Sequence, residues 1–183
     1  IKAIETADLA AMTASQVSAF SSNQIRALST GQLNALTAIE LNALSDSQLQ
    51  SLSTAQVNGL SSSSVAKLKA SQVAALSTAQ VAAMTSDQVK SLTVLSVAAL
   101  SANQLNAMTT TQVQSLTANQ LKSLSGSTVA SLNTTQVAAL STAQVAGLSV
   151  ASLAALSNTQ VAAMTTTQVQ SLTDLQIKSL SAD

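Results

Sequence analysis

The apolar positions of this chain fall into two interleaved series, each with a period of eight. Every eighth residue from Ile4 to Leu180 is apolar: seventeen Leu, Met12, Met84, Met108, Met164, Ile4 and Phe20, twenty-three of twenty-three. Every eighth residue from Leu9 to Ile177 is aliphatic, twenty-two of twenty-two. Ser or Thr follows the first series in twenty of twenty-three units, the exceptions being Glu5, Lys69 and Asn133, and Gln precedes the second series in sixteen of twenty-two. The unit therefore reads Ser/Thr-x-x-Gln-Val/Leu-x-Ala/Ser-Leu, with no insertion or deletion along the chain. Self-similarity at a fixed period marks a repeat architecture.

One long helix does not accommodate this pattern. Eight residues at about 100° each advance the apolar stripe by roughly 80° per unit, so it circles the helix within five units. The β alternative is weaker: the two series have opposite parity and would point to opposite faces of a strand. The unit also lacks the Gly, Asn and Asp corners that a β-solenoid needs. What fits is a short helix in every octad. Ser or Thr followed three residues later by Gln is a capping box, in which the hydroxyl accepts from the third helical N–H and the Gln side chain reaches back to the cap N–H. A cap has non-helical dihedrals, so a cap in every unit breaks the helix in every unit. In "ALSTAQVAAM" the spacing predicts Ser77 as cap, Gln80 as its partner and a helix over 78–84. Helices this short are unstable alone; each must be held by its neighbours, as in a solenoid.

A longer rhythm overlies the octads. Six units carry no Gln at the box position and have Asp8, Glu40, Ser64, Ser96, Thr128 and Ser152 there instead. Their separations are always three or four octads, which predicts a superhelix of three to four units per turn with these six on one side. Ile39, Val94 and Leu95 add apolar character to the same units. The expectation is that this side is a self-association face, buried against another copy of the chain. About 3.6 units per turn and the 8–10 Å spacing of packed helices give roughly six turns and about 60 Å. The fold class expected is all-α, a solenoid of about 22 capped repeats over 1–183, forming one continuous domain that reads as a segment of a longer chain.

Composition narrows the function. Phe20 is the only aromatic residue, and His, Cys, Trp, Tyr and Pro are absent. Seven basic residues balance seven acidic ones, so the basic patch that nucleic-acid binding needs is missing. No run approaches the roughly 18 apolar residues of a membrane span. Solubility must rest on Ser, Thr, Gln and Asn. Catalysis requires tunable acids and bases, activated nucleophiles or metals, and this inventory points to no enzyme, no metal site and no cofactor. Glu5 and Asp8 read as anions near a helix start. Ser64 and Lys67 match the Ser-x-x-Lys spacing of penicillin-recognising enzymes, and Asn133-Thr134-Thr135 matches a glycosylation triplet; both read as coincidence.

"LSTAQVAAM" resembles the first helix of TAL-effector repeats. The second helix, the base-reading loop and the longer period of that family are absent, so the resemblance carries over no DNA reading. Uninterrupted octads of this type also resemble the long arrays of very large bacterial surface and secreted proteins, often labelled adhesins or haem-utilisation proteins. That resemblance implies an extracellular or cell-surface setting and a structural role: the body of a fibre, filament or stalk made by self-association, with other copies of the chain as partners. The alternative it implies is a spacer or ligand-binding solenoid module of a large adhesin.

Overall fold

A computed structural model describes residues 3–180; the first two and last three positions of the expected array fall outside them. Among the described residues there are twenty-two short helices and no strands, running from α1 (Thr6–Ala10) to α22 (Asp174–Leu180), one per octad. The all-α solenoid expected from the octad is the observed fold.

Where the capping box is complete, the helix starts where the box places it. Ser77 has extended dihedrals (φ −67°, ψ 158°), its Oγ accepts from the Gln80 N–H, and the Ser77 N–H donates to Gln80 Oε1. Asn133 makes the same box with Gln136, its amide oxygen replacing a hydroxyl. Lys69 cannot accept, so its unit keeps only the half in which the Lys69 N–H donates to Gln72. The far end of the helix differs slightly from the sequence reading. α10 covers Thr78–Ala83, and Met84 is already extended (ψ 148°). The anchor residue thus belongs to the connection: its backbone turns the chain outward while its side chain plugs the core.

The two apolar series form that core. Val81, Val89, Val97, Leu105 and Val113 are buried, as are the anchors Met84, Leu92, Leu100, Met108 and Leu116. Each such side chain contributes about 1.5–3 kcal/mol of apolar burial, and the series stay in contact from turn to turn as one continuous cluster. Packing is not between consecutive helices but between every third: α10 lies on α7 (Thr54–Asn58) and on α13 (Ala102–Ala107), α14 (Thr110–Ser115) on α11 (Ser86–Ser91) and on α17 (Thr134–Ala139). Side-chain hydrogen bonds reach back four units. One superhelical turn therefore holds between three and four octads, and the chain makes about six turns.

Small residues set how closely turns approach. A Cβ on Gly126, the first residue of α16 (Gly126–Val129), would lie 3.0 Å from the Ala151 carbonyl oxygen of α19 (Val150–Ala154), whereas one on Gly31 would meet nothing nearer than Ser29 Oγ at 3.8 Å. Gly126→Ala should therefore cost about 1–3 kcal/mol by overpacking. Gly31→Ala, in the exposed part of a helix, should add about 0.4–1 kcal/mol by restricting the unfolded chain. Urea unfolding of the two variants, followed by far-ultraviolet circular dichroism, should give midpoint shifts of opposite sign.

Candidate functional site: the glutamine clamp and the units without it

A helix of five or six residues has more orphan backbone groups than satisfied ones, because its first four N–H and last four C=O groups lack intrahelical partners. In this chain the box glutamine serves both ends. Gln112 Oε1 accepts from the Thr109 N–H at 2.8 Å, which closes the start of its own helix. Its Nε2 donates to Met84 O at 2.6 Å and Val81 O at 2.9 Å, the carbonyls that end α10 one turn earlier. The nearest acceptor lies 28 residues back, three and a half octads. Gln88, Gln104, Gln136, Gln144 and Gln168 repeat this arrangement on Leu60, Leu76, Met108, Leu116 and Leu140. These amides are buried, where a hydrogen bond is worth most and its loss leaves a desolvated acceptor behind.

An outer ladder supports the inner one. Asn58 and Asn106 donate from Nδ2, and Gln114 from Nε2, to carbonyls 25 residues ahead, those of Ala83, Ser131 and Ala139. These groups are exposed, and the bonds are correspondingly weaker determinants of stability. At the first turn, Gln16 and Gln24 make the capping box but are exposed, with no described turn beneath them.

The six units without Gln are placed as follows. Glu40, Ser64, Ser96 and Ser152 are buried in the layer between turns, Thr128 is half-buried, and Asp8 is exposed on the first turn. Since each unit stacks on units three or four away, the six form a column up one side of the superhelix. The side chains at the box position mark this column, but the four buried ones are covered by their own chain and do not form its surface. The outward surface belongs to their neighbours: Ile39 and Leu95 are each 74% exposed, Val94 and Val150 each 45%.

Inside the column the missing amide is partly replaced. In the Ser61 unit the cap N–H donates to Asn34 Oδ1 at 2.7 Å, a side chain from the turn below. Ser96 Oγ reaches Leu68 O at 3.4 Å, the acceptor that a glutamine would have taken. Ser64, Ser96, Thr128 and Ser152 also share a hydroxyl contact with their own cap residue. In the Thr37 unit Glu40 retains the capping box, with Thr37 N–H donating to Oε2 at 2.6 Å.

Among the described residues no three carboxylates come together, and no helix is long and apolar enough to cross a membrane. The recesses are open clefts between turns, such as the one lined by Arg26, Ser29, Ser53 and Gln56. Ser64 is held by its cap Ser61 and lies in the buried layer, while Lys67 is half-buried in the small position before the anchor.

The fold and the clamp together define a short-helix repeat solenoid. The sequence pattern of the ALTTAQ repeat matches residues 1–38, 65–94 and 118–150, more than half of the chain, which therefore belongs to the ALTTAQ repeat family. The corresponding stretch "ALSTAQ", Ala75–Gln80, runs over the anchor Leu76, the cap Ser77 and the clamp Gln80. No curated protein gives a significant match.

If the amide does the work at both ends, position along the chain decides the cost of losing it. Gln112→Ala should destabilise the protein by about 2–3 kcal/mol, combining loss of a cap with orphaned buried carbonyls. Gln16→Ala removes only an exposed box and should cost about 1 kcal/mol or less. Chemical unfolding of both variants tests the difference; equal losses would mean that the inter-turn half of the clamp contributes nothing.

Proposed function

We propose that this chain is a structural repeat protein whose superhelix forms the body of an extracellular bacterial fibre, filament or stalk by association between copies. The observation that carries this reading is the column of exposed aliphatic side chains. The Thr37, Thr93 and Ser149 units are 56 residues apart, two superhelical turns, which sets Ile39, Leu95 with Val94, and Val150 on one line. At about 8–10 Å per layer these apolar points recur every 16–20 Å or so. A second copy offers the same spacing, so two columns can register along their length. Val169, Leu175 and Ile177 are exposed as well, and the balance of seven positive and seven negative charges over 183 residues puts up little long-range repulsion between copies. A structural rather than catalytic role is supported by the commitment of the conspicuous polar side chains to backbone carbonyls. The extracellular bacterial setting rests on the likeness of the octads to the long arrays of large surface and secreted proteins.

The test is the state of the purified chain across a wide concentration range, by sedimentation velocity and electron microscopy. Assembly into rods or bundles is expected, and the triple variant Ile39→Ser, Leu95→Ser, Val150→Ser should stay monomeric with unchanged helicity, since all three side chains are exposed. Monodisperse wild-type monomers at every concentration would sink the fibre reading and favour the alternative, a spacer module within a large adhesin.

A further inference from the structure

Glu40 breaks the chemical logic of the clamp without leaving its geometry. It stands in the box position of the Thr37 unit, and its carboxylate is tied to the Thr37 N–H through Oε2 as each glutamine is tied through Oε1. In the glutamine units the other atom of the head group is Nε2, aimed at the carbonyls 28 and 30 residues back, as Gln48 is at Phe20 O (2.6 Å) and Ser18 O (3.1 Å). Counted from Glu40, the same offsets fall on Met12 and Ala10, at the end of α1. The atom in the Nε2 slot is then a second carboxylate oxygen, which has no proton to give them. Glu40 is 4% exposed, and no Lys or Arg among the described residues pairs with its carboxylate.

A buried anion set against the carbonyl end of a helix is unfavourable twice over. The carboxylate is desolvated, and the helix terminus it faces carries negative partial charge. Nearby Gln32 and Gln48 solve the same problem with an N–H. Here every donor in the slot is oxygen, and an all-oxygen set is what hard cations select. We infer that Glu40, with the Ala10 and Met12 carbonyl oxygens, forms a binding site for a hard metal cation that bridges the first two turns in place of the missing amide. One carboxylate and two carbonyls leave the remaining ligand positions to water.

The test is thermal unfolding of the full chain at fixed ionic strength in CaCl2, KCl or tetramethylammonium chloride, the last cation being too large for the slot, together with calorimetric titration of CaCl2. At tenfold excess over the dissociation constant the bound ion should raise the midpoint on the order of 3 °C above that in tetramethylammonium. A rise in CaCl2 alone identifies a divalent site, and a rise in KCl as well identifies an unselective one. Glu40→Gln restores the ordinary clamp and so should fold, lose the cation response, and melt above the wild type in tetramethylammonium. Equal wild-type midpoints in all three salts would overturn the inference. So would a cation response that survives in Glu40→Gln, or a wild-type midpoint that follows pH but no cation.

Discussion

The structure depends on one side-chain amide being long enough to touch two helices. Helices of five or six residues cannot satisfy their own backbones, and octads built on them would be no more ordered than an isolated short peptide. The glutamine removes the deficit in pairs: its oxygen closes the beginning of its own helix and its nitrogen closes the end of the helix a turn below. A local motif thereby becomes a long-range one. Because the reach of the amide is fixed, so is the offset, 28 residues, and with it the number of octads per turn. Hydrophobic burial holds the turns together, but the amide decides which turn meets which.

Much of this was readable from the sequence, and the part that was not has a physical reason. The cap, its glutamine partner and the two inward series follow from local spacing, and the non-helical cap forces a break in each unit. The turn size was visible in the intervals between units lacking Gln, which are a mixture of three and four octads because three and a half is not an integer. The second half of the clamp was hidden. A hydrogen bond from Gln112 to Met84 joins residues related only through the superhelix, so nothing in the neighbourhood of Gln112 announces it. For the same reason Ser64, Ser96 and Ser152 mark one side of the solenoid yet lie inside it. Their lack of Gln marks a column, while the exposed residues of that column, Ile39, Leu95 and Val150, sit one or two positions earlier in their units.

The departures from the octad show how much substitution the design tolerates. Asn133 caps as well as Ser does, Lys69 gives up half a box, and Asn34 supplies from another turn the oxygen that the Ser61 unit lacks. Each solution answers the same accounting of buried backbone groups, by a different route. Asn42 Oδ1 is the one buried side-chain oxygen or nitrogen among the described residues without a hydrogen-bond partner. Periodicity therefore constrains the sequence through unmet hydrogen bonds as much as through apolar packing, which explains why the box position varies while the anchor never loses its apolar side chain.

The direction of the glutamine bonds has a mechanical consequence. They run from turn to turn, along the axis of the superhelix, so a pull on the two ends loads them lengthwise and a released turn takes 28 residues with it. Fully extended, that length is about 95 Å, against a layer about 10 Å high. The rod would thus yield in discrete, nearly tenfold lengthenings, each absorbing the work of breaking two or three clamps, and would recover them on relaxation because each turn is templated by the one beneath it.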